Sequence, residues 1–185
     1  MSGDPRVSVA MATYNGARFI AEQLESLSRQ TLPPCELVIG DDGSTDDTLN
    51  IVEAFARTAP FPVRIHRNPQ RMGHADNFLH TATLCSGDLI AFCDQDDVWL
   101  ETKLARCCQA FQDRDVVLAV HAAHVVDTNL TRLGRRTQDT TVAGTGAPWL
   151  ESMVDSLRIL HGLLRQLDET VRLAIPARGM VRLGQ

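Results

Sequence analysis

The stretch FCDQDDVWL, residues 92–100, places three aspartates within four positions directly behind an apolar run. Carboxylates this close repel one another, and something positive must offset the repulsion. A second acidic turn, DDGSTDDT at 41–48, follows the apolar run CELVIG in the same way, and TYN at 13–15 follows RVSVAMA. One acidic turn alone is most simply a helix cap. Three polar turns at the ends of apolar runs, two of them acid-rich, point to a site instead. Oxygen donors suit hard ions such as Mg2+ or Mn2+. Asp94 and Asp96 are spaced so that one could reach a ribose hydroxyl and the other a cation bridging two phosphates. Asp41 or Asp42 could accept from a nucleobase N–H, with Tyr14 supplying a flat aromatic surface. A cation there would neutralise the charge growing on a departing diphosphate.

Other chemistries fit less well. Asp42 to Glu53 offers oxygen ligands at Asp42, Ser44 and Asp46, as a calcium loop would, but Asp47 stands where such a loop needs glycine. DQDDV also resembles the aspartate nucleophile motif of haloacid-dehalogenase-type phosphatases. That chemistry needs a lysine from elsewhere in the chain, and the only lysine is Lys103, just behind the motif. No G-x-x-x-x-G-K-[ST] phosphate loop occurs.

The elements that would position these residues alternate between strand and helix over roughly the first 125 residues, the pattern of a mostly parallel sheet covered by helices. Residues 6–12, 35–40 and 88–93 read as strands, the last two as runs buried on both faces, and 61–66 as a shorter one. Ile20, Leu24 and Leu27 mark a first helix, and Ser44 with Asp47 stand at capping-box spacing for a second through Phe55 and Ala56. Ala75, Phe78, Leu79 and Ala82 mark a third, and Leu100, Leu104, Cys107, Cys108 and Phe111 a fourth. Residues 115–127 read as one long strand or two with a bend. In open α/β sheets the carboxyl ends of parallel strands line the ligand crevice, so the three polar turns are expected to face one pocket.

Composition sets the bounds. The chain has 185 residues, 44% of them hydrophobic, and a formal net charge of −5, which argues against a nucleic-acid partner held by a basic surface. No apolar stretch approaches the roughly 20 residues that span a bilayer, and MSGDPR is not a signal region, so a cytoplasmic chain is expected. The five cysteines lack C-x-x-C spacing and read as small buried hydrophobes, and the six scattered histidines suggest no metal cluster. His121 and His124, three apart in a strand reading, point to opposite faces. The character changes near residue 139: residues 1–139 read as the binding domain and 140–185 as an atypical helical tail. An apolar stripe from Trp149 to Val171 predicts a helix over about 149–173 that packs on the domain or on a second chain, with Pro176 and the Gly/Arg-rich end after it frayed.

The segments VSVAMATYNGARFIAEQLESLSRQTLPPCELVIGDDGSTDDT, NPQRMGHADNF and GDLIAFCDQDDVWL, in this order, resemble the donor half of family 2 glycosyltransferases of the GT-A fold. The resemblance covers about residues 6–135 and is greatest to the rhamnosyltransferase-like branch, which acts in bacterial surface polysaccharide synthesis. It implies a Rossmann-like, mostly parallel sheet with helices on both faces. It also implies a metal-dependent, inverting enzyme that moves a sugar from a UDP- or dTDP-linked donor to a saccharide or lipid-linked acceptor, at the inner face of the membrane. By the resemblance, Thr13, Tyr14 and Asn15 wrap the nucleotide, Asp42 meets the base, and Arg71 and Asn77 approach the donor. Asp94 and Asp96 form the D-x-D pair, with Asp96 the principal ligand of Mg2+ or Mn2+. Asp97 supports the pair or caps a helix, and Trp99 either closes over the sugar or is a core aromatic.

The same resemblance calls for an acceptor-side half carrying an Asp or Glu that deprotonates the acceptor hydroxyl. APWLES and DSLRILHGLLRQLDET match nothing in that half, so no base is assigned. A nucleotide-sugar-binding fragment without transfer activity is the alternative expectation.

Overall fold

The computed structural model describes residues 5–112, 118–121, 123–136 and 172–176. Its centre is made by the continuous apolar runs. β1 (Val7–Thr13) and β2 (Glu36–Asp41) are buried throughout, and β4 (Leu89–Asp94) is buried up to its last residue. β3 (Val63–Arg67) is partly exposed, as an edge strand should be. With β5 (Leu118–His121) and β8 (Arg172–Pro176) they form one six-stranded sheet in the order β3-β2-β1-β4-β8-β5, with parallel pairing at every step. β6 (His124–Val126) and β7 (Arg132–Arg136) make a separate antiparallel ribbon.

Strand alternation sends side chains to two cores. Val9, Met11, Leu37, Ile39, Ala91 and Cys93 face one way and pack with α1 (Ile20–Ser28), α2 (Thr48–Ala56) and α4 (Lys103–Ala110) through Leu24, Leu27, Val52 and Leu104. Ala10, Ala12, Ile90 and Phe92 face the other way and pack with α3 (His74–Thr83) through Phe78 and Ala82. Helices therefore cover both faces, as expected. A Cβ at Gly40 would run into Thr81 Oγ1 and Asn77 Oδ1, so α3 lies this close to β2 only because that position has none.

Four local expectations are corrected. The helix at 48–56 is not capped by a Ser44–Asp47 box: Ser44 Oγ donates to Asp41 Oδ2 (2.5 Å), while Asp46 Oδ1 accepts from Thr48 N (3.0 Å). The segment 115–127 holds two strands, as the second of its two readings expected, but β5 joins the main sheet and β6 the ribbon; His121 and His124, expected on opposite faces of one strand, thus stand in different sheets. Among the cysteines only Cys93 is fully buried; the other four are half-buried, and all five are free thiols. Finally, residues 172 and 173, expected to end a helix, and Pro176, expected to fray, stand in β8 between β4 and β5. The apolar run LAIP suits a strand with neighbours on both sides. The rest of the helix expected over 149–173, and the remainder of the 140–185 tail with its possible self-association, lie outside the described residues.

Candidate functional site

Register fixes the site. β1 lies between β2 and β4, with Thr13 opposite Asp41 and Ala12 opposite Asp94, so all three strands end at the same level. The loops that follow them open on one pocket of about 430 Å3, which is in the range of small-molecule sites. Thr13 and Tyr14 reach it from the first loop, Asp42 from the second, and Asp94, Asp96 and Asp97 from the third. Arg71 lines it from the segment leading into α3, and Asn77 from α3 itself. Asn15 is not among the lining residues.

The second loop is built around its own carboxylates. Asp41 is buried, accepting from Thr13 Oγ1 (3.0 Å), Gly43 N (3.2 Å), Ser44 N (2.9 Å) and Ser44 Oγ. It shapes the turn and has little left to offer a ligand. Asp42, also buried, accepts from the backbone N–H groups of Met72 (2.7 Å) and Gly73 (2.8 Å) and from Asn68 Nδ2 (3.1 Å). Burial works to raise its pKa, but these hydrogen bonds and the charge of Arg71 outweigh it and hold the carboxyl below its ordinary value. Gly73 takes φ +88° at the start of α3, a conformation that only glycine adopts cheaply, and this aims the two N–H groups at Asp42.

Asn15 and Asn77 serve as braces. Asn15, left-handed at φ +47°, accepts from Thr45 N through Oδ1 (2.8 Å) and donates its own N–H to Ser44 Oγ (2.9 Å). That clasps the first loop to the second. Asn77 is buried, donates to Gly40 O (2.8 Å) and accepts from Asn68 (2.9 Å), tying α3 to β2 while it touches the pocket floor. Thr13 spends its hydroxyl on Asp41, so it offers the pocket little beyond its backbone and methyl group.

The third loop divides its aspartates. Asp94 Oδ1 lies 2.9 Å from His74 Nε2, and Asp96 opens on the pocket. Asp97 is buried, next to the core aromatic Trp99, which is 4% exposed; the core reading of Trp99 holds. With its oxygen accepting from Trp99 Nε1 (3.2 Å), the buried Gln23 amide donates to the Asp97 carbonyl. Sequence reasoning missed two residues here. His74 was set aside with the other histidines, although its place at the first turn after NPQRMG brings it to the pocket wall. Gln95 went unread between its aspartate neighbours, yet it binds both backbone groups of Tyr14.

On the outer rim the Arg71 guanidinium sits 3.9 Å above the centre of the Tyr14 ring. No group of three or more His, Cys, Asp or Glu side chains converges as a cage for a metal among the described residues. Mg2+ and Mn2+ need no such cage when substrate phosphates complete their shell, and one or two carboxylates suffice. The donor set Asp94 and Asp96 fits a cation of that kind.

The profile of glycosyl transferase family 2 matches residues 8–172. The chain belongs to this family. The match takes in the span of about 6–135 read from motifs, from residue 8 onward, and runs on to residue 172. Among relatives, the dTDP-rhamnosyl transferase RfbG of Shigella flexneri is 41% identical over 98 residues, 51% of this chain and 34% of that protein. Among solved structures, S. aureus TarS in complex with UDP-GlcNAc superposes with a TM-score of 0.58 at 25% identity, covering 77% of this chain and 37% of that one. The mannosyltransferase PcManGT of Pyrobaculum calidifontis, in complex with GDP-Man and Mn2+, gives 0.57 at 30% identity over 68% of this chain and 36% of its own. The chain spans between 18% and 52% of the length of the curated relatives it matches. The family 2 transferase fold expected from the motifs is thus the fold observed. No helix among the described residues is long and apolar enough to cross a membrane.

Proposed function

We propose that the pocket binds the nucleotide-diphosphate sugar donor of an inverting, metal-dependent glycosyltransferase. One observation carries the reading: carboxylates from two separate loops, Asp42 after β2 and Asp94 with Asp96 after β4, open on one pocket at the carboxyl edge of a parallel sheet. Tyr14 and Asp42 take the base side, with Arg71 at the rim. Asp94 faces the ribose. Asp96, aided by Asp94, holds Mg2+ or Mn2+, which when bound supplies Lewis-acid stabilisation of the departing diphosphate. The dTDP-rhamnosyl transferase among the relatives, and UDP-GlcNAc and GDP-Man with Mn2+ in the neighbouring structures, support a donor of this class. We place the sugar acceptor among saccharide or lipid-linked hydroxyls, in surface polysaccharide synthesis at the cytoplasmic face of the membrane.

Inversion requires a base that takes the acceptor proton as the hydroxyl attacks. Every carboxylate lining the pocket, among the described residues, comes from the same two donor-side loops. That favours a second reading for this chain by itself: donor binding, with slow hydrolysis, but no transfer.

Calorimetric titration with UDP, dTDP and GDP, with and without Mn2+, tests the first reading. Binding that needs the metal and vanishes in Asp96→Ala is the expected result; no binding of any of the three in either condition would overturn it. Product analysis with the matching nucleotide sugar then separates transfer from hydrolysis.

A further inference from the structure

Three aspartates in four residues need a counter-charge even before any ligand arrives, and the protein's only lysine supplies a candidate. Lys103 opens α4, directly behind the acidic loop. Its stem is half-buried, but its Nζ is buried and has no hydrogen-bond partner. The ammonium lies 3.3 Å above the centre of the buried Trp99 ring. A buried ammonium without acceptors is costly, and an apolar side chain of similar length would fill the same space at less cost. Packing therefore does not explain it. Ring-face attraction offsets part of the cost. Burial pulls its pKa down to about 8, and the nearby carboxylates of Asp97 and Asp94 work against that fall.

We infer that Lys103 is a positioning residue for the donor site: its ammonium is the fixed counter-charge that holds the buried Asp97 in place and leaves Asp94 and Asp96 directed at the pocket. The inference rests on the reading of Asp94 and Asp96 as the pair that meets metal and ribose. It divides the loop's labour. Asp97 is neutralised from behind by the protein, and a divalent cation has only the outer two carboxylates to satisfy. Asp97, on the pocket floor, then sets the loop's shape rather than its affinity for the ion.

The test is a double-mutant cycle on the 185-residue chain: Lys103→Met, Asp97→Asn, and the two together. Each single change removes one of two buried, opposite charges and lowers Tm by roughly 10 °C. The double variant removes both charges and recovers at least about half of that loss. Affinity for UDP with Mn2+ is the readout that a purely structural lysine would not move. Lys103→Met weakens it by about tenfold or more, and the double variant returns to within about threefold of wild type. Additive losses in the melting cycle overturn the inference. So does a Lys103→Met protein that melts lower but binds as wild type does, since the lysine then only stabilises the fold. If Lys103→Met does not fold, the double variant decides: folded and binding supports the inference, unfolded overturns it. If the wild-type chain takes up no UDP with Mn2+, the donor-site reading fails on its own. The melting cycle then decides the lysine's role by itself.

Discussion

The side-chain amide of Gln95 pairs with both backbone groups of Tyr14, accepting from its N–H at 3.0 Å and donating to its carbonyl at 3.1 Å. The loop after β4 is thereby fastened to the loop after β1, across the pocket mouth that both line. Only a side chain with a donor and an acceptor on one planar group can make this two-point contact. Gln95→Glu keeps the shape but replaces the donor with a carboxylate oxygen facing a carbonyl. We expect Gln95→Ala to lower stability by about 1–2 kcal/mol, since the pair is exposed and each bond is worth about 0.5–1.5 kcal/mol net. Glu in its place should bind a nucleotide diphosphate more weakly than Ala does, because it also adds charge beside Asp94 and Asp96. Urea titration and calorimetry read the two effects; a glutamate variant that binds better than the alanine one would contradict the clasp.

Acid should unfold the chain through two buried carboxyls. Burial works to raise Glu36, but hydrogen bonds from Ser8, from Ser86 N and Oγ, and from Arg64 more than reverse it, as the corresponding bonds do for Asp42. Both folded pKa values therefore lie below the unfolded ones. The stability they contribute is fully present above the unfolded value, about pH 4, and is lost as pH falls through the folded values. Glu36→Gln should thus be less stable than wild type at neutral pH, and the gap should narrow on acidification below about pH 4. Urea midpoints between neutral pH and pH 3 test this, and curves that stay parallel would exclude Glu36 as a source.

The parallel sheet was legible because its strands are uninterrupted apolar runs, and the pocket was legible because polar turns end those runs. Reading failed where a residue's role depends on its reach across the fold. Gln95 and His74 carry no local signal; their partners Tyr14 and Asp94 are brought near only by the register of β1 with β4 and the placement of α3. Asn15 looked like a ligand residue because it sits in the first polar turn, but a left-handed backbone turns it toward the second loop. The strand at 172–176 was hidden for a different reason. Its apolar run follows a long stripe of helical period, and only the long-range pairing with β4 and β5 makes it a strand.

Close packing under the site gives a sharper stability prediction. Gly40 is buried in β2, and a methyl group there would displace both Thr81 Oγ1 and Asn77 Oδ1. Asn77 also donates to the Gly40 carbonyl at 2.8 Å, so the helix cannot move away without breaking that bond. Gly40→Ala is expected to cost about 1–3 kcal/mol, the usual range for overpacking a tight core. A control at Gly43, which has open space for a Cβ but φ +87°, should cost less, through backbone strain alone. Equal losses in chemical denaturation would refute the close-approach argument.

One face of Tyr14 is covered by Arg71. Arg71 lies over the ring at 3.9 Å, where a nucleobase stacking on that face would have to lie. At this exposed rim the cation–π contact is worth about 0.5–1 kcal/mol, while a stacked base is worth about 1–3 kcal/mol. On the proposed reading the base would take the face, and the displaced guanidinium would become available to the diphosphate. Two substitutions separate these roles. Tyr14→Ala should weaken UDP binding by about tenfold or more, since the stacking surface is gone. Arg71→Ala removes a competitor for the ring as well as a cation, so uridine, which has no phosphate, should bind no worse than to wild type. UDP should lose affinity, and the loss should shrink as salt screens the guanidinium. Calorimetry with uridine and UDP at two ionic strengths measures both; uridine binding that falls with Arg71→Ala as far as UDP binding does would assign the arginine to the base instead of the phosphates.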